Sequence, residues 1–436
     1  MRRLFLSYSF GEFIAKGLNL LLVLVLPFAL DQGEYGRLGL LLASEAVLMV
    51  CIGGGGGSAF LRLYSRLQRF PERFFTSAFF GWARYSLPAL VLAVVCCAAL
   101  SLFDASIRFA LPVQILFLCY IFLAAARENV YSLLRVEQRI GRYTLVKIGS
   151  QVAKVGLVGA FALLFETADA YVWGSFISAL SSFVLLADFI RSRVRIAQRG
   201  SRKLGRLVVS FGLPLMLGSI ATSIMGLTDR YMLDRFVGAE EVGVYTFAST
   251  VAGANFFLLS MLSFTMIPGF FAFKSFEPEG EQYLRKMTYL GLVLTVGSSI
   301  GLFLAFQIAI VRYLPEYARG NAAFLLLQVK FCLSPLYLHG YYMLLFFNAS
   351  ERVPLVTFLV CALNGVLNYV LIPTYGIWGA ALATLLSDVA LVVTVNCLAV
   401  TIRRKAARLP ALTKSLSTNN SALKTAISAN LGKTGE

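Results

Sequence analysis

The sequence predicts an all-α polytopic membrane protein with twelve transmembrane helices. The chain is 58% hydrophobic and only 14% charged, whereas soluble domains carry about 25% charged residues. Apolar stretches long enough to cross a bilayer as helices recur along almost the whole chain. Lys and Arg are also concentrated in alternate loops, which is typical of a chain that crosses the membrane many times. These observations indicate the fold class before any motif is considered.

The apolar stretches give twelve predicted spans. They cover residues 8–30, 38–59, 76–101, 109–126, 144–165, 170–190, 207–228, 242–271, 287–311, 321–347, 354–373 and 376–401. No small-residue cleavage site follows the first span, so we interpret it as a membrane helix and not as a signal peptide. Residues 402–436 are rich in Ser, Thr, Asn and Lys and are predicted to form a disordered cytoplasmic tail.

The basic residues predict the orientation of the chain. Most of the 39 Lys and Arg residues fall in loops and ends that lie inside the cell if the N-terminus does. Arg230 is assigned to the opposite side, in a predicted outer segment at about 229–241. Because excess Lys and Arg marks cytoplasmic loops, we expect a protein of the inner (cytoplasmic) membrane with both termini in the cytoplasm. The net charge of +17 therefore reflects topology, and no nucleic-acid partner is expected.

A basic loop at 191–206 separates two predicted six-helix bundles, residues 1–190 and 207–401. An even number of spans in each half gives the halves the same orientation, so a pseudo-symmetry axis would run along the membrane normal. The stretches "DQGEYGRLGL" and "GAEEVGVYTF" each follow the first span of a half and carry acidic residues and a Gly–Tyr cluster. They support an internal repeat.

No catalytic, metal or cofactor site is predicted. The seven cysteines and one histidine are spread over apolar spans and form no ligand spacing. The five glycines Gly53, Gly54, Gly55, Gly56 and Gly57 lack the Lys and Ser/Thr of a phosphate-binding loop. At the end of the second span they are either an unwound helix end without a role or a flexible gate.

Charged side chains at bilayer depth cost at least about 2.5–3.5 kcal/mol on insertion scales, so they are expected to face a cavity or a partner. The basic residues inside predicted spans are Lys16, Arg84, Lys147, Lys154 and Lys330. The acidic residues at comparable depth are Glu12, Glu45 and Asp388. Basic residues predominate, which favours an anionic ligand.

The fifth span carries the clearest pattern. Thr144, Lys147, Gln151 and Lys154 share one helix face, and two lysines on one stripe repel each other. A cavity that binds an anion would explain them, with Lys147, Gln151 and Lys154 as contacts. The alternative is that carboxylates on neighbouring helices neutralise the stripe.

The other charged residues each have two interpretations. Lys16 contacts the substrate or pairs with Glu12, four residues before it. Arg84 and Lys330 contact the substrate or form buried ion pairs with Glu45 or Asp388. These two acids are in turn predicted ion-coupling residues or simple counter-ions.

Three stretches carry a resemblance to a known family. They are "GLNLLLVLVLPFALDQGEYGRLGLLLAS", "SFGLPLMLGSIATSIMGLTDRYMLDRFVGAEEVGVYTFAST" and "CALNGVLNYVLIPTYGIWGAALATLLSD". Together they resemble the polysaccharide (Wzx-type, O-antigen) flippases of the multidrug/oligosaccharidyl-lipid/polysaccharide exporter (MOP) superfamily. Residues 143 to 164 add a weaker match.

The resemblance implies a V-shaped alternating-access transporter built from two six-helix bundles. Its substrate would be an undecaprenyl-diphosphate-linked oligosaccharide, held by basic cavity residues while the lipid tail stays among membrane lipids. The resemblance also implies coupling to H⁺ or Na⁺, and we expect a polysaccharide polymerase as a partner protein. The destination of the glycan, whether O-antigen, capsule or exopolysaccharide, stays open.

Two alternatives remain at the sequence level. A multidrug or cation exporter of the same fold would use acidic cavity residues, whereas the predicted interior is net basic. A membrane glycan polymerase or ligase would need a large outer loop, and the outer loops of this sequence are short. We therefore expect a transporter and not an enzyme.

Overall fold

The chain folds as a bundle of long helices in the computed structural model, which describes residues 2–55, 71–103, 109–193, 202–273 and 276–408. Twelve long α-helices occur within these ranges, and no β-strand does. They are α1 (Arg2–Val25), α2 (Gln32–Gly53), α3 (Pro71–Phe103), α4 (Leu111–Val136), α5 (Ile140–Phe165), α6 (Asp169–Arg193), α7 (Arg202–Phe236), α8 (Ala239–Phe270), α9 (Glu281–Arg312), α10 (Asn321–Phe346), α11 (Val353–Tyr375) and α12 (Ile377–Arg408). Short 3₁₀ turns (Leu26–Phe28, Pro315–Gly320 and Ser350–Arg352) and one π turn (Phe276–Gly280) complete the described structure.

The helical, multi-pass character predicted from the sequence is confirmed. Within the described residues, eleven helices are long and apolar enough to cross a membrane. The seventh predicted span lies inside α7, which is not among the eleven, so its crossing stays a prediction. All twelve predicted spans overlap a helix in chain order.

The helices extend further than the apolar stretches. α7 continues to Phe236 and α8 begins at Ala239, so most of the predicted outer segment 229–241 is helical. α12 likewise continues to Arg408, past the predicted start of the tail, while residues 409–436 lie outside the described part. Polar residues such as Arg, Lys and Glu are good helix formers, and a helix does not stop where the bilayer does.

The turn between α1 and α2 shows how local sequence determines a helix start. The side chain of Asp31 accepts a hydrogen bond from the Glu34 backbone N–H at 2.7 Å, which caps α2. Glu34 in turn accepts the Ala168 backbone N–H at 2.7 Å and pairs with Arg37 at 2.7 Å. The first turn of α2 is therefore held against the start of α6.

Helix packing connects the first six helices with the last six. In the first set α1 packs on α5, α5 on α6 and α4 on α6; in the second, α12 packs on α10 and α11, and α11 on α7. Contacts between the sets join α2 to α7 and α8, and α3 to α7. At Gly36 of α2 a Cβ atom would lie 1.9 Å from the carbonyl oxygen of Ala239 at the start of α8. Only glycine permits this backbone contact, which brings the two sets together at one end.

Candidate functional site

A cavity of about 520 Å³ lies between helices α1, α2 and α5 of the first set and helices α7 and α8 of the second. Its polar lining consists of Glu12, Lys16, Asn19, Lys147, Gln151, Arg230 and Thr250. Apolar residues of α1 and α2 form the rest of the wall. The sequence patterns of α1 and α5 explain this lining, because Glu12, Lys16 and Asn19 share one face of their helix, as do Lys147 and Gln151.

Lys147 is neutralised within the cavity wall. Its Nζ lies 2.7 Å from Oε1 of Glu12 and 3.6 Å from Oε1 of Glu128. The hydroxyl of Tyr143, one turn before Lys147 on α5, donates a second hydrogen bond to the same Glu12 oxygen. The alternative interpretation of the α5 stripe, neutralisation by neighbouring carboxylates, therefore describes the arrangement at Lys147.

Lys16 and Arg230 are the two cavity cations that form no ion pair with a carboxylate among the described residues. Lys16 has an exposed side chain in the cavity and, among the described residues, forms no ion pair. The Arg230 guanidinium donates to neutral groups only: Thr246 Oγ1 at 3.3 Å, the Gly226 carbonyl oxygen at 2.9 Å and Ser249 Oγ at 3.1 Å. The lining thus contains three cations and one carboxylate, which makes the cavity attractive to an anion.

The sequence does not predict Arg230 as a cavity residue, because the apolar stretch of the seventh predicted span ends just before it. The structure places Arg230 in the last third of α7, on the cavity wall and not in an outer loop. The contact of Arg230 with the Gly226 carbonyl, four residues earlier on the helix, is a feature of the structure that the sequence does not show.

Lys154 occupies a separate, buried site. Its Nζ donates to the hydroxyls of Tyr171 at 2.7 Å and Tyr120 at 3.1 Å. Both tyrosines donate onward to the Glu45 carboxylate, at 2.6 and 2.7 Å respectively. Lys154 is only 6% exposed and does not line the cavity. The predicted ion-coupling residue Glu45 and the predicted substrate contact Lys154 are therefore linked to each other by two tyrosines.

Lys330 and Arg84 also lie away from the cavity. Lys330 of α10 faces Asp388 of α12, with 3.6 Å between Nζ and Oδ2 and both side chains partly buried. Arg84 is exposed on α3, on the same side as the exposed Leu87 and Val91. Of the six predicted substrate contacts, the structure brings together Lys16, Lys147 and Gln151 and separates the other three from them.

The glycine run lies at the end of α2, where it contacts two other helices. Gly54 and Gly55 adopt left-handed conformations, with φ of 56° and 65°. A Cβ at Gly54 would lie 2.6 Å from the Tyr85 ring of α3, and one at Gly55 would lie 2.4 Å from the carbonyl oxygen of Gly212 in α7. Gly53 is the last residue of α2, with no neighbouring atom within 4 Å of its Cβ position. Gly56 and Gly57 lie outside the described residues.

Comparison with solved structures identifies the fold. The chain is similar to a multidrug resistance MATE family transporter of the MOP superfamily in its outward-facing conformation, with 16% identity over 94% of this chain and 96% of that one and a TM-score of 0.66. It is equally similar to an inward-facing conformation, with 16% identity over 95% and 96% of the chains and a TM-score of 0.66. A MOP superfamily transporter from Pyrococcus furiosus, described as having a binding pocket of reverse polarity, gives 16% identity over 92% and 96% and a TM-score of 0.56. The fold is thus that of the MOP transporters.

The sequence comparison gives the family. The chain belongs to the polysaccharide biosynthesis protein family, whose profile matches residues 2–274. No curated protein matches the chain. The chain is thus a multi-pass membrane protein of the polysaccharide biosynthesis protein family with the fold of the MOP transporters, and the family resemblance stated from the sequence is confirmed.

Proposed function

We propose that this protein is a flippase that moves an undecaprenyl-diphosphate-linked oligosaccharide across the cytoplasmic membrane. The observation that carries the proposal is the cavity, which has Lys16 from one set of helices and Arg230 from the other, neither paired with a carboxylate in the described part of the chain. A diphosphate is the anionic part of such a lipid-linked sugar. Charged groups bind phosphate oxygens through short, strong hydrogen bonds.

The proposed movement is alternating access between two bundles, residues 1–190 and 207–401, joined by the basic segment 191–206. The cavity lies where the two sets of helices meet, and a MATE family transporter of similar fold has an outward-facing and an inward-facing conformation. An anion held by Lys16 on α1 and Arg230 on α7 would contact both bundles at once. Its binding would therefore favour a conformation in which they approach each other.

The sign of the cavity charge favours this function over export of cationic drugs. Glu12 is the only carboxylate among the lining residues, and Lys147 already pairs with it at 2.7 Å. A cationic drug entering the cavity would meet Lys16 and Arg230 without an acidic partner. The cation exporter remains the alternative that the experiment below excludes or supports.

The test is a comparison of transport by the unsubstituted protein with that of Lys16→Gln, Arg230→Gln and the double variant. Each hydrogen bond to a charged group contributes about 1.5–3 kcal/mol, so we expect each substitution to weaken substrate binding about tenfold or more. Lys405→Gln removes an exposed charge on α12 outside the cavity and is the matched control.

The measurement is flipping of a lipid-linked oligosaccharide in proteoliposomes, together with accumulation of the same lipid in the inner leaflet of cells. The proposal predicts slow flipping in the two single variants, slower flipping in the double variant and normal flipping in Lys405→Gln. Normal flipping by the double variant would refute the assignment of the cavity. Transport of a cationic dye that improves when the two charges are removed would favour the exporter.

A further inference from the structure

A basic patch lies at one end of the last six helices, outside the cavity described above. It consists of Arg285 and Lys286, in the second turn of α9, which directly precede the predicted ninth span, 287–311. Both side chains are exposed, that of Arg285 to 73%. The orientation predicted from the basic residues places this end of α9 at the cytoplasmic surface of the membrane.

The positive charge of this patch is only partly balanced. Arg285 donates from one terminal nitrogen to Oε1 of Glu281 at 2.6 Å. The same carboxylate also accepts two hydrogen bonds from Arg403 of α12, at 3.1 and 2.7 Å. One acid thus serves two guanidinium groups, and Lys286 forms no ion pair among the described residues. A guanidinium has five N–H donors, so Arg285 has further donors for a ligand.

The shared carboxylate also fixes the position of the patch. Because Arg403 belongs to α12 whereas Arg285 belongs to α9, Glu281 joins the ends of these two helices. Arg403 is held in addition over the ring of Phe276, with 5.5 Å between its guanidinium carbon and the ring centroid. Arg285 is therefore oriented before any ligand binds, which lowers the entropic cost of binding.

An apolar stripe continues along α9 from these cations. Its members recur every three or four residues and share one helix face with Lys286. They are between 47% and 70% exposed: Tyr289, Val293, Val296 and Ile300. Tyr289 is nearest to the cations, and tyrosine is enriched at the depth of the lipid headgroups. This face of α9 therefore offers cations at headgroup depth and apolar side chains farther into the bilayer.

This arrangement matches the two parts of a phospholipid. Charged donors bind phosphate oxygens through short, strong hydrogen bonds, and basic residues beside a membrane helix attract anionic lipids. We propose that Arg285 and Lys286 bind the phosphate of an anionic phospholipid, whose acyl chains lie along the stripe from Tyr289 to Ile300.

The charges around the patch favour an anionic lipid over a zwitterionic one. A zwitterionic headgroup carries an ammonium group beside its phosphate, and Arg285 and Lys286 repel that group. Glu281, the neighbouring acid, is already engaged by two arginines, so it is a poor partner for the ammonium. The site lies outside the cavity and needs no transported substrate, so it does not rest on the proposed function.

The experiment is a lipid titration of the full-length protein in a neutral detergent, followed by native mass spectrometry. The probes are phosphatidylglycerol, phosphatidylcholine with the same acyl chains, and soluble glycerol phosphate. We expect phosphatidylglycerol to bind most tightly and to raise the unfolding temperature in a saturable way, because a ligand of the folded state stabilises it. Phosphatidylcholine should bind weakly, and glycerol phosphate, which has no acyl chains, should not bind.

Substitutions assign the binding to the patch. Arg285→Gln and Lys286→Gln should each weaken the first binding step of phosphatidylglycerol about fivefold, and the double variant about 25-fold. Arg312→Gln is the matched control, because it removes an exposed arginine from the opposite end of α9 and should leave the affinity unchanged. The unfolding temperature in lipid-free detergent checks that each variant is folded.

Three results would overturn the inference. They are an unchanged affinity in the double variant, an equal loss of affinity in Arg312→Gln, and equal binding of phosphatidylcholine. Binding of glycerol phosphate as tight as that of phosphatidylglycerol would also contradict it, because the cations would then hold a free phosphate and not a lipid. Since no lipid-linked sugar is present, a failure here is distinct from a failure of the flippase assay.

Discussion

At the scale of single residues, burial and pairing distinguish lysines that look alike in the sequence. Lys16 and Lys154 both lie within predicted spans, yet Lys16 is exposed in the cavity whereas Lys154 is enclosed by Tyr120 and Tyr171. The first is free to meet a ligand, and the second balances Glu45 through the two tyrosines. Removing the charge of Lys16 and removing that of Lys154 should therefore have different effects on the stability of the protein.

We expect Lys154→Gln to destabilise the protein and Lys16→Gln to leave its stability nearly unchanged. Removing one partner of a buried charge pair costs up to about 3–5 kcal/mol, and here the half-buried Glu45 would lose the cation to which two tyrosines link it. An exposed substitution such as Lys16→Gln changes the stability by about 0.5 kcal/mol or less. The measurement is thermal unfolding of the purified variants.

The double variant Lys154→Gln with Glu45→Gln is the control for that interpretation. It removes both charges and should recover much of the lost stability, because the two sites belong to one network. If Lys154→Gln is instead as stable as the unsubstituted protein and defective in transport, Lys154 contacts the substrate, as its position on the α5 stripe first suggested.

At the scale of secondary-structure elements, the glycines at the end of α2 differ in how well each position tolerates a side chain. Gly55→Ala should impair transport and lower stability, because a left-handed backbone costs a residue with a side chain about 1–2 kcal/mol and the new Cβ would lie 2.4 Å from the Gly212 carbonyl oxygen. Gly54→Ala should have a smaller effect, since the neighbour there is the movable ring of Tyr85.

Gly53→Ala is the matched control within the same run. Gly53 is helical and has open space at its Cβ position, and alanine favours a helix by about 1 kcal/mol over glycine. Normal transport and stability are expected for this variant. If it is as defective as Gly55→Ala while remaining inserted in the membrane, flexibility of the whole run matters more than its contacts, and the run acts as a hinge.

The existence of the helices could be predicted from the sequence, whereas the packing of one helix against another could not. Apolar length alone predicts that α1 or α5 exists, and helical spacing correctly grouped Lys147 with Gln151 on the cavity wall. The same spacing could not place Lys154, because its environment is made by Tyr120 and Tyr171 of α4 and α6. Nothing in a single sequence says which helices are adjacent in space.

Helix ends are a second place where the structure differs from the sequence prediction, and they affect two charged residues. Asp229 and Arg230 follow the last residue of the predicted seventh span, 207–228, so the sequence predicts that they lie in an outer segment. The helix continues to Phe236, which brings Arg230 to the cavity and Asp229 into the interior. Hydropathy reports how far an apolar stretch extends and not where the helix ends. Charged residues that continue a helix just beyond an apolar stretch are therefore predicted to lie in a loop.

At the scale of the whole molecule, the contact between the two sets of helices at the beginning of α2 is held by a polar cluster. Arg319, in the 3₁₀ turn before α10, lies 2.7 Å from Glu241 of α8 and donates to Gln32 of α2 at 3.0 Å. Nearby, the rings of Tyr35 and Tyr317 pack edge to face with 6.1 Å between their centroids. If the two sets separate during transport, the contact of Arg319 with Gln32 and that of Tyr35 with Tyr317 must be released when this end opens.

Charge reversal at Arg319 should therefore shift the protein toward the conformation that is open at this end. Arg319→Glu removes the hydrogen bond to Gln32 across the two sets and the pair with Glu241 that holds the guanidinium in place. Because such an exposed charged contact contributes up to about 1 kcal/mol, the population of the open form should rise up to about fivefold. The reporter is a cysteine at Asn19 on the cavity wall. Its modification by a membrane-impermeant maleimide is followed with the reagent added to one face of oriented vesicles, and protein without the Asn19 cysteine gives the background.

The double variant Arg319→Glu with Glu241→Arg restores the pair and should return the rate to its original value. Labelling should accelerate only from the face that carries the start of α2, which the predicted topology places outside the cell. Equal acceleration from both faces would mean that the substitution loosens the fold and does not move a two-state equilibrium, and labelling from the opposite face alone would reverse the predicted orientation.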